Sequence, residues 1–360
     1  MNTEINKSLT LLIPLKGRHP YSERLFYFLK KFRLNYKIFL ADGSDLALPK
    51  KYLKILDNAK IEYRYVRFKK DKNIKTFILK LSHSLESINT KYVMIFENDD
   101  LLVPFSVNQC LRKLEIDKTL VGCGGYKINF NFFEIQKKFK KYDNLYGNPV
   151  NISKMDTGNN YIASMGLQRI KDFLTKSSSV NTFNDIFHTR FLRKNILKIK
   201  NLKFSYFWFY LRSIDILNIF KGKILKIDQP IIIHQHHPGS YGVSAPSIYD
   251  NLKNFKYLKE KSIFKNSVFK ICKKKQVNSH LNEYFAKIKY IADKKKNLQK
   301  KFFLINIFKN IYILRVFYQI IKNLFLYFLN IEINIFLKKY RNYILRKELQ
   351  KIFNFLKNIN

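Results

Sequence analysis

The sequence predicts an α/β fold in which a mixed, mainly parallel sheet is flanked by helices and followed by a basic helical C-terminal extension. Three observations predict it. Short apolar segments alternate with amphipathic segments through the first 100 residues. Polar clusters follow three of these apolar segments. The net charge of +42 is unevenly distributed along the chain. Residues 251–360 carry 26 basic and 5 acidic side chains, and their net charge is half of the total.

Four short apolar segments in the first 100 residues are predicted strands. Each is rich in aliphatic and aromatic residues and is bounded by polar residues or glycine, as expected for strands in a covered sheet. The segments are LTLLIPL (9–15), YKIFLA (36–41), IEYRYVRF (61–68) and YVMIFE (92–97).

Amphipathic segments between these strands predict helices. In YSERLFYFLKKF (21–32), leucine and phenylalanine recur at helical spacing, and Ser22 is a suitable N-cap residue. A second set of apolar side chains, between Ile74 and Ile88, also shares one helix face. The resulting βαβαβαβ order predicts a parallel sheet with right-handed crossovers.

The pattern after the fourth strand is mixed. Its predicted elements are a glycine-rich turn and strand at 120–133, a helix at 204–220, and short strands at 223–228 and 230–237. Gly222 is a natural residue to end that helix. The lysine-rich remainder is predicted to be helical and separate from the core. We therefore expect a catalytic or binding domain at 1–250 and a basic, amphipathic helical region at 251–360.

Charge and cysteine content limit the partners and the compartment. The net charge implies an anionic partner such as nucleic acid, acidic lipid or a phosphorylated substrate, unless it reflects biased lysine usage. Cys110, Cys123 and Cys272 show no metal-ligand spacing and no close pairs, which fits a reduced environment. The N-terminus is too polar for a secretory signal. The expected location is the cytoplasm.

Common nucleotide-binding signatures are absent from the sequence. There is no G-x-x-x-x-G-K-[ST], which argues against a P-loop ATPase, and no G-x-G-x-x-G follows the first strand. Gly122, Gly124 and Gly125 come too late in the chain and have the wrong spacing for a dinucleotide site. A tight turn is the simpler interpretation of these glycines.

Three predicted strand ends carry polar clusters, and carboxyl ends of parallel strands lie at the same edge of a sheet, where ligands bind. The clusters are Lys16-Gly17-Arg18-His19, Asp42-Gly43-Ser44-Asp45 and Glu97-Asn98-Asp99-Asp100. Three carboxylates within four residues repel one another. A divalent cation, Mg²⁺ or Mn²⁺, bound by Asp99 with help from Glu97 or Asp100 would compensate them. The alternative is a solvated acidic turn.

The motifs LLIPLKGRH, FLADGSD and YVMIFENDD, in this order and spacing, resemble the donor-binding half of family 2 glycosyltransferases, which have the GT-A fold. The likeness is greatest to a bacterial subgroup with a D-D-D-type motif, and it covers residues 8–240. It implies a metal-dependent enzyme that uses Mn²⁺ or Mg²⁺. Such an enzyme moves a sugar from a nucleotide-sugar donor to a glycan or lipid-linked acceptor in cell-surface polysaccharide synthesis.

The resemblance also implies roles for individual residues. Asp42 would hold the base or ribose, and Glu97-Asn98-Asp99 aligns with the D-x-D element that coordinates the metal on the donor diphosphate. The histidines that end the late strand are His234, His236 and His237, and His236 is expected to complete the metal shell. The residues expected to bind the nucleotide-sugar are Pro14, Lys16, Arg18, Asp42, Ser44, Asn98 and Asp100.

An inverting transfer also needs a base that takes the proton of the acceptor. Family members often place a carboxylate where this chain has Phe209-Tyr210-Leu211, which contains no acid. Asp185 and Asp215 are the nearest candidates. Asp185 is preferred, because Asp215 falls in a segment expected to be a packed helix, and a cap of a helix is the alternative role for Asp185.

The C-terminal segment 301–340 is apolar but interrupted by charges, and no span of 18 residues in it is uncharged. A membrane-spanning helix is therefore disfavoured. Its polar residues between Arg315 and Asn323 fall on one arc of a helix, which suits a helix lying on an anionic membrane surface. Such a helix would place the protein on the inner face of the cell membrane. A helix packed on the domain or on a partner chain is the alternative.

Two other classes of function stay open. A basic nucleic-acid-binding protein would explain the charge and the 16% aromatic content, but not three polar strand ends at one edge. A catalytically inactive GT-A-like scaffold would explain the absence of an acid near Tyr210 and the glutamate at Glu97.

Overall fold

The structure is a computed structural model that describes residues 6–132, 145–155, 159–176, 182–236, 255–272, 277–290 and 333–357. Nine described strands form a single sheet. They are β1 (Leu9–Leu15), β2 (Lys37–Asp42), β3 (Tyr63–Arg67), β4 (Tyr92–Ile95), β5 (Asp100–Leu102), β6 (Leu120–Phe132), β7 (Pro149–Met155), β8 (Ile186–His188) and β9 (Lys223–Gln235).

Helices connect and follow these strands. They are α1 (His19–Lys31), α2 (Lys50–Asn58), α3 (Ile74–Glu86), α4 (Pro104–Ile116), α5 (Gly166–Lys176), α6 (Thr189–Ile199), α7 (Phe207–Lys221), α8 (Phe255–Cys272), α9 (277–290), α10 (333–338) and α11 (Tyr343–Lys357).

The sheet is mixed, with strand order β3-β2-β1-β4-β8-β6-β9-β5 and with β7 paired to β6. Its first four strands are parallel to one another, and most of its paired residues lie in parallel pairs. The short strand β8 pairs antiparallel with both β4 and β6 and so joins the two halves. The predicted α/β architecture is confirmed.

Helix α1 begins earlier than the sequence predicts. Arg18 precedes it in the left-handed region at φ 56°, and Pro20 lies in its first turn. Ser22, the predicted N-cap, lies inside the helix, where it is buried and accepts a hydrogen bond from Asn98 at 2.8 Å. The N-cap prediction was wrong because proline, which suits a first helical turn, comes before the serine.

The predicted glycine-rich turn and strand form one 13-residue strand, β6. Its glycines permit close approach of neighbouring strands. A Cβ at Gly124 would lie 1.9 Å from Asp185 Oδ1, and one at Gly122 would lie 2.5 Å from the ring of Phe187. A Cβ at Gly125 would meet a backbone oxygen of β9 at 2.3 Å. The two short strands predicted after Gly222 are likewise one strand, β9.

Two apolar cores cover the two faces of the sheet. Successive residues of β1 alternate between them, since Leu11 and Ile13 belong to one core and Leu12 to the other. Helices α1, α2, α4, α10 and α11 cover the first face, and α3, α5, α6, α7, α8 and α9 cover the second.

The described C-terminal helices are part of these cores. Tyr257 and Phe264 of α8 are buried against Phe209 of α7, while Phe353 of α11 is buried in the core that contains Phe28 of α1. The described residues beyond 250 are therefore mainly helical, and they pack on the core and are not separate from it.

The segment predicted to lie on a membrane surface, 301–340, is described only from residue 333 onward. Residues 301–332 lie outside the described residues, and in 333–338 the side chains of Ile333, Phe336 and Leu337 are buried in the core. Among the helices that the structure describes, none combines the length and the hydrophobicity needed to span a bilayer.

Candidate functional site

Three loops lie together at the carboxyl edge of the parallel strands. We call them the β1 loop (Lys16–Arg18), the β2 loop (Asp42–Asp45) and the acidic turn (Glu97–Asp100). The backbone N–H of Gly17 donates to Ser44 Oγ at 2.6 Å, which joins the first two loops. Arg18 forms an ion pair with Asp99, which joins the first loop to the third. The structure therefore brings together the three polar strand ends identified in the sequence.

Asp42 organises the β2 loop. Its carboxylate accepts hydrogen bonds from the backbone N–H of Ser44 at 2.9 Å, the backbone N–H of Leu48 at 3.1 Å and the hydroxyl of Tyr65 at 2.7 Å. Arg67 lies 3.0 Å away in an ion pair. Burial alone would raise the pKa of Asp42, but its hydrogen-bond donors hold that pKa below its ordinary value. Both carboxylate oxygens are thus used within the protein.

The β1 loop, at the edge of the sheet, has an unusual backbone conformation. Gly17 and Arg18 both have positive φ angles, of 73° and 56°. Pro14 lies within β1 opposite Ala41 and is half-buried, whereas the side chain of Lys16 is exposed. The ammonium group of Lys16 is therefore open to a ligand that approaches this edge.

The two middle residues of the acidic turn hold the β1 loop in place. The side chain of Asn98 donates to the carbonyl of Arg18 at 3.2 Å and to Ser22 Oγ. Asp99 pairs with Arg18 through its side chain, and its carbonyl accepts a hydrogen bond from the buried Arg24 at 2.6 Å. Asn98 and Asp99 therefore brace the loop from inside the protein.

The two outer residues of the turn meet a histidine. Donor atoms of Glu97, Asp100 and His234 lie within 4.8 Å of one another, and we call these three residues the metal group. Asp100 lies opposite His234 because β5 pairs antiparallel with β9, and their side chains are 2.6 Å apart.

The metal group differs from the predicted metal ligands in two of its three members. Glu97 is common to both sets. Asp100 takes the place expected for Asp99, and His234 takes the place expected for His236, whose backbone N–H bonds to Phe130 at 2.9 Å. His237 lies outside the described residues.

The metal group has the properties that a divalent cation requires. Two carboxylates and an imidazole are ligands that suit Mn²⁺, and carboxylates also suit Mg²⁺. Ligands held about 2.1 Å from one ion lie roughly 3–4 Å apart, so donor atoms that lie within 4.8 Å of one another are close enough to close on one ion with small side-chain movements. The buried Asp100 Oδ2 has no hydrogen-bond partner among the described residues. The residues present therefore fit such an ion.

A buried lysine that the sequence does not single out lies beside the two acids of the metal group. Lys127 of β6 is 6% exposed, and its ammonium lies 3.7 Å from Asp100 Oδ2 and 3.8 Å from Glu97 Oε2. Burial alone would lower the pKa of Lys127, but Glu97 and Asp100 outweigh that effect and raise it. The only sequence signal was a lysine inside an otherwise apolar strand, between Tyr126 and Ile128.

The same environment shifts the pKa values of Glu97 and His234. Burial raises the pKa of Glu97, the nearby charges of Asp100 and Asp99 add to that rise, and Lys127 opposes it. Burial lowers the pKa of His234, but the charge and hydrogen bond of Asp100 outweigh it and raise that pKa. Proton affinity is therefore raised at two members of the metal group, as expected where a cation would neutralise excess negative charge.

The two candidate bases have different surroundings. Asp185 is 3% exposed, and its Oδ1 accepts a hydrogen bond from Lys226 at 2.6 Å. Its Oδ2 has no hydrogen-bond partner within the described part of the chain, and burial raises the pKa of Asp185 to about 6. Asp215 lies in the packed helix α7, as expected, where Thr182 and Arg212 satisfy its carboxylate. Only Asp185 keeps an oxygen for another group.

Comparison with known proteins gives distant structural matches alone. No protein-family model and no curated protein matches the chain. Among solved structures, S. aureus TarS 1–349 matches with 10% identity and a TM-score of 0.41, over 78% of this chain and 79% of that chain. The same fragment in complex with UDP-GlcNAc matches with 10% identity and a TM-score of 0.42, over 78% and 80%.

A longer TarS structure matches with 13% identity and a TM-score of 0.39, over 72% of this chain and 43% of that chain. Matches of this size are too weak to transfer a function or a residue role.

Proposed function

We propose that the chain is a metal-dependent glycosyltransferase of the GT-A type. It would move a sugar from a nucleotide-sugar donor to a glycan or lipid-linked acceptor. The observation that carries this proposal is the metal group, Glu97, Asp100 and His234, at the carboxyl edge of the parallel strands. Ligands of sheets built in this way bind at that edge.

The donor diphosphate would bind between the metal group and the β1 loop. A divalent cation, when bound, neutralises the charge that develops on the leaving diphosphate. Glu97, Asp100 and His234 would hold this ion, and the exposed ammonium of Lys16 would pair with a phosphate. In this proposal Asp42 acts by shaping the β2 loop, because its two oxygens already accept donors from the protein.

Asp185 would accept the proton of the acceptor hydroxyl. The hydroxyl oxygen bonds to the anomeric carbon of the donor sugar, the bond from that carbon to the diphosphate breaks, and the proton moves to Asp185. A base with a pKa of about 6 is largely deprotonated at neutral pH and still binds a proton readily. Lys226 would hold the carboxylate through Oδ1. A single displacement of this kind inverts the anomeric centre.

A thermal-shift screen with Mn²⁺ and UDP-, GDP-, CMP- and dTDP-sugars tests the donor assignment. One of these donors should raise the melting temperature more in the presence of Mn²⁺ than in its absence. Strong binding to generic DNA with a steep salt dependence, and no response to any sugar nucleotide, would instead support a nucleic-acid-binding protein.

A matched pair of variants tests the metal group. Asp100→Asn should weaken Mn²⁺ binding at least ~10-fold, because it removes a charged ligand. Asp99→Asn should leave Mn²⁺ binding within about threefold of the wild-type value, since Asp99 pairs with Arg18 instead. Unchanged binding in Asp100→Asn, or a loss confined to Asp99→Asn, would refute the assignment.

A further inference from the structure

Lys127 differs from the other buried lysines of the sheet region in its distance from its acidic partners. Lys226 donates to Asp185 at 2.6 Å, and Lys80 is in direct contact with Asp71. The ammonium of Lys127 stays 3.7 and 3.8 Å from two carboxylates. These distances are ion-pair distances, but they are too long for hydrogen bonds. The charge of Lys127 therefore acts on both acids of the metal group, although the ammonium is hydrogen-bonded to neither of them.

The position of Lys127 gives the site a definite charge balance. Glu97 and Asp100 supply two negative charges, and Lys127 supplies one positive charge beside them. A divalent cation bound to the same acids would neutralise their two charges and leave the buried ammonium of Lys127 without a balancing charge, which is unfavourable in a poorly solvated site. A bound diphosphate would bring compensating negative charge.

We propose that Lys127 couples the binding of the divalent cation to the binding of the donor diphosphate. This inference rests on the proposed function. Lys127 weakens the binding of the cation alone by repulsion, and it attracts the diphosphate that arrives beside the cation. Because such coupling is reciprocal, the diphosphate must strengthen cation binding by the same factor as the cation strengthens diphosphate binding.

The stem of Lys127 makes this role possible. β6 fixes its backbone beside β9, opposite Ile232, two residues before His234. The ammonium is carried on a flexible chain, which allows it to move from the carboxylates toward a phosphate without a change in the strand. The coupling therefore needs no rearrangement of the fold.

The test measures Mn²⁺ binding by electron paramagnetic resonance, with and without UDP as the probe diphosphate. A protein-free titration corrects for the Mn²⁺–UDP complex. In Lys127→Met, Mn²⁺ alone should bind about tenfold more tightly than in the wild type, within the usual range of site coupling. UDP should tighten Mn²⁺ binding about tenfold in the wild type and less than about threefold in this variant.

Two further variants separate coupling from a merely structural role. Lys127→Arg keeps the charge and should keep the coupling. Lys154→Met, on the neighbouring strand β7, removes an exposed lysine that pairs with Asp228 and should bind Mn²⁺ and UDP as the wild type does. Circular dichroism establishes that each variant is folded, and Lys127→Gln replaces Lys127→Met if the latter is not.

The outcomes distinguish this inference from the proposed function. Equal coupling in the wild type and in Lys127→Met, or no gain in Mn²⁺ affinity in that variant, overturns the role of Lys127 alone. If no nucleoside diphosphate or sugar nucleotide alters Mn²⁺ binding in any of these proteins, the donor site itself is wrong, and the coupling falls with it.

Discussion

The buried pair of Lys80 and Asp71 supports the β2 loop, and it allows a quantitative prediction. Both side chains are 2% exposed or less, they form an ion pair, and Lys80 also donates to the carbonyl of Leu15 at 2.8 Å. The backbone N–H of Asp71 donates to the carbonyl of Gly43 at 2.8 Å. Replacing Lys80 by methionine keeps an unbranched side chain and removes the charge.

The structure sets the size of the expected effect. Lys80→Met leaves Asp71 as an unpaired buried acid, and breaking a buried pair in this way costs about 3–5 kcal/mol of the free energy of unfolding. Lys80→Met combined with Asp71→Asn removes both charges. The double variant should therefore recover most of the loss and lie within about 2 kcal/mol of the wild type.

The loss of unfolding free energy in Lys80→Met should also depend on pH, and Asp71 determines its direction. Burial raises the pKa of Asp71 even with Lys80 in place, and the loss of Lys80 removes the main opposing charge. An acid whose folded pKa is raised destabilises the folded state at higher pH and ceases to do so as it is protonated. The deficit of Lys80→Met is therefore largest at neutral pH and shrinks as the pH falls through the folded pKa toward the ordinary value.

Urea unfolding followed by circular dichroism at pH 7.5 and pH 5.5 measures these differences. Lys91→Met is the matched control, because Lys91 pairs with Glu115 at the surface and should cost about 1 kcal/mol or less. A loss below about 1 kcal/mol in Lys80→Met, or a double variant no more stable than the single one, would show that the pair does not support the loop as argued.

Three further predictions concern the site and the C-terminal helix. Gly124→Ala should displace Asp185 from Lys226, costing about 1–3 kcal/mol in urea unfolding and at least ~10-fold in transfer rate, and unchanged values would contradict it. The transfer rate of the wild type should fall as the pH drops below about 6, because Asp185 is then protonated; a rate that is flat through this range excludes Asp185 as the base. Burial raises the pKa of Glu348 to about 7, so its contribution to docking of α11 is full below its ordinary pKa and is lost as the pH rises through 7. Hydrogen exchange of α11 should show this trend in the wild type but not in Glu348→Gln.

The first half of the fold was predictable because each of its strands and helices has a recognisable local sequence pattern. Strands β1 to β4 coincide with the four apolar segments, and the loops that follow three of them carry polar residues. The place of the candidate site follows from the parallel order alone. Helix α3, which runs from Ile74 to Glu86, was likewise visible as one apolar face.

The identity of the metal group was not predictable, because it depends on a distant pairing. Asp99 and Asp100 are adjacent carboxylates, and only the pairing of β5 with β9 directs Asp100 toward His234. His234 and His236 share a strand face, but two residues along a strand are nearly 7 Å apart. The choice between them depends on register, which one sequence does not reveal.

The roles of Lys127 and Gly124 were also not predictable from the sequence, because they depend on residues that are distant in the chain. A lysine inside an apolar strand has no visible partner in the sequence, since Glu97 and Asp100 belong to a different segment. The sequence favours a tight turn for the glycines of β6, because nothing in it shows that Asp185 lies against one of them. Such requirements come from tertiary neighbours and not from local propensity.

The pairing of β5 with β9 also determines when the site can form. Asp100 and His234 are separated by 134 positions, and strands β6, β7 and β8 come between them in the chain. During synthesis the first four parallel strands are complete long before β9 leaves the ribosome. Glu97 and Asp100 are therefore present in the nascent chain before His234 has been made. A chain interrupted before β9 would retain the acidic turn but not the metal group. Cation binding by this group therefore indicates that β9 has been synthesised and has paired with β5.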